Sequence, residues 1–291
     1  MAWLVTQAVI NGILSGGTYA LIAIGVTIIF GVMRMVNFAS GAYLMIGLYL
    51  TYFAYQIFGW DPYLLIPVVL ILAAIIGYLS YLITLKPIIR KDRTSAIIIT
   101  VGLAFFFQNV VLLVFGGDSL SVPSVMNNVS VSFGPFAVSG GRLIAFCASV
   151  VLTLIINVVI KKTSFGRCMR ATSENPEVAE MLGVNTNAIN AIAWTLGVSL
   201  ASIAGLMLSP IYMVQSGVGA PFRTASLMAV VLGGLGDIRG AFICGILLGV
   251  TEALTGALIS ADLGPFGLFV PFLVLLYFKP FGIFGKGERQ A

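Results

Sequence analysis

Histidine is absent from this chain, and with it the commonest general base and metal ligand. Ten acids remain, and outside the loops only Asp237 and Glu252 fall within apolar segments. A Ser/His/Asp triad is therefore impossible, and a paired-carboxylate site in those segments would have to use these two residues. No phosphate-cradling G-x-x-x-x-G-K-[ST] loop occurs, since Gly285–Lys286 lacks both the glycine spacing and the following Ser/Thr. Cys147 and Cys244 sit in apolar runs and Cys168 in a basic loop, a spacing that suggests neither a metal site nor a disulfide, so all three read as packing residues. No catalytic residue, metal site or cofactor of the chain's own is expected. What remains is polarity embedded in oily sequence. The stretch VNFASGAYLMIG, 36–47, gathers Asn37, Ser40 and Gly41; GGLGDIRGA gathers Gly233, Gly234 and Asp237. Tyr19, Gln108 and Asn109 lie in apolar runs, where uncharged polar groups either bond across helices as structural glue or face a cavity.

The elements that must position these residues follow from composition. Of 291 residues, 59% are hydrophobic and 9% charged, with a mean hydropathy of +1.09; soluble domains carry about 25% charged residues. Apolar windows near the length of about 20 residues that crosses a bilayer recur along nearly all of the chain, at 6–32, 38–57, 63–86, 95–115, 142–160, 189–213, 225–258 and 263–281. The pattern predicts an all-α polytopic membrane protein with eight or nine transmembrane helices, forming a single domain over 1–291. The first segment lacks the basic region and cleavage site of a secretory signal and is expected to be kept as a span. Segment 225–258 is too long for one simple span. It reads either as one broken helix or as a re-entrant half-helix followed by a span.

Charge orients the chain. Lys86, Arg90, Lys91 and Arg93 fill one short loop and Lys161, Lys162, Arg167 and Arg170 another, while 116–141 holds only Asp118 between the basic clusters. The positive-inside rule makes both basic loops cytoplasmic and, counting back three spans, places the N-terminus outside. Eight crossings would put the C-terminus outside as well. Lys279, Lys286 and Arg289 against Glu288 favour the inside and a ninth crossing. These loops account for the net charge of +5, so no nucleic-acid partner is implied. The outer segment NNVSVSFGPFAVSGG alternates on both sides of Gly134–Pro135 and predicts a small hairpin, either a plain loop or a docking surface for an external protein. About a dozen apolar residues precede Gly236, too few to finish a crossing. Asp237 and Arg239 are therefore expected at membrane depth, paired with each other or with Glu252.

The second basic loop, taken here as 161–189, contains Asn175–Pro176 followed by EVAEMLG. Pro176 near the first helical position and acids in the first turn predict a short amphipathic helix on which Ala179, Leu182 and Gly183 form a small-faced surface. Glu177-x-Ala179-x-x-x-Gly183 resembles the EAA loop of ABC importer permeases, whose short helix docks on the ATP-hydrolysing subunit. GGTYALIAIGVTIIFGVMRMVNFASGAYLMIG, TSFGRCMRA, MLGVNT and VVLGGLGDIRGAFICGILLGVTEAL together resemble, in the same order, the permeases of the branched-chain amino acid family of ABC importers. The similarity covers about 6–285.

The resemblance implies a multi-pass subunit of the bacterial inner membrane with the ABC importer permease fold. It implies that Gly166, Arg167, Arg170, Glu177, Ala179, Leu182 and Gly183 couple to ATPase subunits. Two such subunits would use ATP and Mg. The remaining partners it implies are a second related permease or a second copy, a periplasmic or lipid-anchored binding protein, and the lipid bilayer. The substrates implied are branched-chain or other hydrophobic amino acids; urea or short amides are the alternative, because urea permeases share these motifs. An ion-coupled secondary transporter using Asp237 and Glu252 is the alternative from another class. The family often has His where this chain has Ser40, and Ser-Ile-Pro where it has Asp237–Ile238–Arg239. The two glycine-rich breaks, around Asn37–Gly41 and Gly233–Gly240, read either as interrupted helices of a translocation path built from structural repeats or as glycines that permit close helix packing.

Overall fold

Two helices that are apolar on every side must be buried on every side, and they form the centre of the bundle: α1 (Ala2–Met33) and α9 (Thr186–Leu208). The best spanning window of each is 83% buried, against 17–33% for the spans packed around them. They cross where glycine faces glycine. A methyl group on Gly25 would lie 2.6 Å from the Gly197 carbonyl oxygen, and one on Gly197 would lie 2.6 Å from that of Gly25. Small residues permit this approach, which larger side chains would prevent. The computed structural model describes residues 1–89, 93–133 and 136–285. Arg90, Lys91, Gly134, Pro135, Lys286, Glu288 and Arg289 lie outside the described residues.

α1 stops at Arg34, which adopts the left-handed conformation (φ 49°) and donates its N–H to the Phe30 carbonyl. Residues 34–39 then fold back into the protein: Met35, Asn37 and Ala39 are buried, and the Phe38 N–H donates to Thr100 Oγ1 at 3.1 Å. α2 (Ser40–Phe58) follows. A 3-10 turn leads into α3 (Ile66–Ser80), which a π turn extends to Leu85, and then comes α4 (Arg93–Phe115). A short α5 (Val125–Asn128) precedes the antiparallel hairpin of β1 (Ser130–Phe133) and β2 (Phe136–Ser139), with Ser130 opposite Ser139. α6 (Gly140–Lys162), α7 (Ser164–Glu174) and α8 (Pro176–Met181) lead to α9. After α9 the chain is irregular over 209–218, bridging Val214 to Leu120, before α10 (Gly219–Gly233), α11 (Ile238–Leu258), a 3-10 stretch (Ala261–Leu268) and α12 (Phe269–Phe278).

Both basic loops lie on one face: the Tyr81 hydroxyl, near the end of α3, donates to the Asn187 carbonyl at the start of α9, beside α8. The hairpin lies on the opposite face, where Gln7 Nε2 donates to the Ala137 carbonyl. The chain also has an internal correspondence. α1, α2, α3 and α4 match α9, α10, α11 and α12 in order, with the second set running the other way across the layer. α1 packs along α11 as α9 packs along α3; α2 packs on α9 as α10 packs on α1; α4 touches α2 as α12 touches α10.

Among the described residues, seven helices are long and apolar enough to cross a membrane. α2 is not one of them, since Tyr43, Tyr49, Tyr52 and Tyr55 lower its hydropathy. α10 is about 22 Å long, short of the about 30 Å hydrocarbon layer. Segment 225–258 divides at its glycine-rich break into a half-length helix, which begins earlier, at Gly219, and a span; the half-helix is not the re-entrant one expected, since it follows the outer end of α9 and finishes at the basic face. The end of the chain returns to the basic face, where the Ile283 and Phe284 N–H groups donate to the carbonyls of Leu232 and Gly233. The two ends of the described chain therefore lie on opposite faces, the arrangement that the basic tail favours.

Candidate functional site

The fold-back after α1 and the irregular stretch after α9 deliver the starts of α2 and α10 to the same place. Asn37 Oδ1 accepts the Ala39 N–H at 2.9 Å, closing the turn that launches α2. Gly41 and Gly219 face each other: a methyl on either would lie 2.3 or 2.0 Å from the other's carbonyl oxygen. Ser40 is buried, and its Oγ has no hydrogen-bond partner among the described residues. Just past the junction, the Ser202 hydroxyl donates to the Tyr43 carbonyl, while the Tyr43 hydroxyl and Trp194 Nε1 both donate to Ser80 Oγ, at 2.9 and 3.1 Å.

Tyr19 belongs to a neighbouring cluster. Its hydroxyl donates to Glu252 Oε2 at 2.6 Å, and its ring meets Phe222, which meets Tyr212. Glu252 thus has a partner within the chain, on a different helix from its own. Gln108 and Asn109 are not brought to this centre. α4 turns Leu103, Ala104 and Val111 inward, so residues 105, 108 and 109 fall on its open side, and Asn109 Nδ2 donates within its own helix, to the Phe105 carbonyl.

The second break lies at the basic face and not at depth, which corrects the expected placement of Asp237 and Arg239. The irregular 209–218 already descends into the protein, so α10 finishes its passage at Gly233. Gly233 and Gly240 touch through their backbones, and Gly234 (φ 97°) makes the turn. Asp237 caps α11, its Oδ1 accepting the Gly240 N–H at 2.8 Å, and Arg239 is exposed. Neither the expected mutual pair nor a bond to Glu252 forms. The turn borders a 640 Å³ cleft that Arg34, Lys161, Arg170 and Arg239 also line.

In the second basic loop, Gly166 is buried where a methyl would lie 1.9 Å from the Ile160 carbonyl oxygen, which accepts from Arg170 Nη1 at 2.8 Å. Arg167 is exposed. Asn175 Oδ1 accepts the N–H groups of Glu177 and Val178, capping α8 behind Pro176. The outward face of α8 differs from the one expected. Ala179 is buried against this chain, whereas Val178, Met181 and Leu182 are exposed, the last two at 85% and 77%. Gly183 meets open space; its positive φ of 84° is what requires glycine there.

A family model described as the branched-chain amino acid transport system / permease component matches residues 8–278, from α1 to the end of α12. The chain belongs to this permease family. As a permease component it is a transport subunit of an importer, embedded as a multi-pass membrane protein, and not an enzyme. The permease is 31% identical to the high-affinity branched-chain amino acid transport system permease protein LivH of Salmonella typhimurium, over 98% of this chain and 96% of the relative. It is 32% identical to the corresponding protein BraD of Pseudomonas aeruginosa, over 98% and 97%. The autoinducer 2 import system permease protein LsrC of Escherichia coli is similar over a shorter stretch, 30% identical across 58% of this chain and 46% of the relative. No solved structure matches the permease with significance.

Sequence reasoning missed several residues at the centre of the permease. Tyr43, Ser80, Trp194 and Ser202 come together from three helices, which no local spacing reveals. Arg223 was overlooked although it carried a signal, being a cation between two apolar runs. It lies on α10 beside the junction, its Cβ 2.9 Å from where a methyl on Gly41 would stand. It lines a 420 Å³ groove with Phe38, Phe105, Leu227, Met228 and Phe272.

Proposed function

We propose that this permease carries branched-chain or other hydrophobic amino acids inward across a bacterial plasma membrane. Binding proteins, periplasmic or lipid-anchored, deliver the substrate, and two ATPase subunits supply the energy by hydrolysing ATP with Mg. The basic face is then cytoplasmic and the hairpin face external. The observation that carries the reading is the match over 8–278, which spans every membrane helix of the fold. The loop helix α8 supports the coupling half of it: Val178, Met181 and Leu182 offer an apolar patch on the basic face, which a groove of the ATPase covers. A second permease, related or identical, completes the path alongside the open side of α4, where Gln108 and Asn109 lie.

The test is uptake by the complete importer in proteoliposomes. Radiolabelled leucine should enter only with ATP inside and binding protein outside. Uptake of urea or acetamide in place of leucine would move the substrate to the amide class. Uptake by this chain alone under an ion gradient would replace the ATP-driven reading with a secondary carrier.

A further inference from the structure

Arg223 is a cation set deep in the membrane-spanning layer. Gly233, at the basic face, lies ten helical steps further along α10, a rise of about 15 Å, or half of the about 30 Å hydrocarbon thickness. Phe222, next to Arg223, packs on Tyr19, in the middle of α1, which fixes the same depth independently. The Arg223 guanidinium has no hydrogen-bonding or ionic partner among the described residues. A charge at this depth faces water or a ligand that answers it.

The groove around Arg223 states what that ligand is. Phe38, Val101, Phe105, Leu227, Met228 and Phe272 make its walls apolar, and its 420 Å³ falls within the range of small-molecule sites, about 300–1,000 Å³. One guanidinium among apolar walls matches a molecule with one carboxylate and a hydrocarbon side chain, and a guanidinium can hold a carboxylate through two parallel hydrogen bonds. α2 and α10 both begin beside it, so the positive ends of two helix dipoles add to the same field. Urea and short amides carry no negative charge to meet it.

We infer that Arg223 holds the carboxylate of the transported amino acid at mid-membrane while the groove takes its apolar side chain. The inference rests on the proposed function, and the test separates the two. Leucine uptake by the parent importer in proteoliposomes reads the function; the ratio of variant to parent reads the inference. Arg223→Gln should lower leucine uptake about tenfold or more while the ATPase subunits still co-purify, and Arg223→Lys, which keeps the charge, should recover part of it. Parent-level uptake by Arg223→Gln overturns the inference and leaves the function standing. A parent that carries urea or acetamide but not leucine overturns both. Loss of assembly in Arg223→Gln that is restored by neutralising an acid of the neighbouring permease assigns Arg223 to a subunit contact and overturns the inference. For an Arg223→Gln protein that does not reach the membrane, Leu227→Cys on the groove wall, in a background lacking Cys147, Cys168 and Cys244, gives the second reading. Leucine should slow its alkylation severalfold during turnover; an unchanged rate overturns the assignment.

Discussion

A half-buried acid inside a membrane protein depends on its donor. Glu252 has Tyr19, and removing the phenolic hydroxyl leaves a carboxyl group half-buried with one bond fewer. Tyr19→Phe is expected to cost about 1–3 kcal/mol, measured as a lower unfolding midpoint in detergent, and adding Glu252→Gln should return part of the loss. Equal midpoints for Tyr19→Phe and parent would remove the hydrogen bond's structural role. Asp237 behaves in the opposite way. Its work is to cap α11, which asparagine does about as well, so Asp237→Asn should match the parent in abundance and uptake, whereas Asp237→Ala should lose about 1 kcal/mol of stability. A severe defect in Asp237→Asn would return this residue to a charged role at depth.

The element most exposed to partners is α8. Its six residues are too few to hold a helix without capping and tertiary support, and Asn175 supplies the cap. Asn175→Ala should weaken the helix by about 1 kcal/mol and lower ATP-coupled uptake modestly. Met181→Glu and Leu182→Glu alter only the exposed apolar patch, so they should abolish ATPase co-purification while the permease still inserts; retained co-purification would clear α8 of the docking role. Here the legibility of the sequence had a clear limit. Pro176 and the acids of the first turn were readable from residue types alone, so the helix was predictable. Which side faces out was not, because burial of Ala179 depends on the helices that α8 packs against, α7 and α9. The same limit explains α10. Hydropathy marks a segment as apolar, but the irregular stretch that lets a fifteen-residue helix begin inside the layer has no hydropathic signature. The spans built on long apolar runs, α1, α4, α6 and α9, were legible to within a few residues, since nothing but burial in protein or lipid accommodates them.

At the scale of the whole molecule, the two ends of the described chain lie on opposite faces, and this can be read by labelling. In a background without native cysteines, Asn175→Cys and Lys279→Cys should react with an impermeant thiol reagent only after the membrane is opened, and Ser119→Cys should react in sealed cells. Labelling of Lys279→Cys from outside would restore an even number of crossings. The internal correspondence has a further consequence. The connection after α3 carries Lys86, Arg90, Lys91 and Arg93; its counterpart after α11, residues 259–262, holds no cation and one acid, Asp262. The two halves thus repeat one architecture upside down and differ in loop charge where loops decide the direction of insertion. A single half of this kind, synthesised alone, has no packing reason to prefer one direction of threading over the other. The packing that the two halves share is blind to direction, so the handful of lysines and arginines in their loops is what tells each half which way to thread.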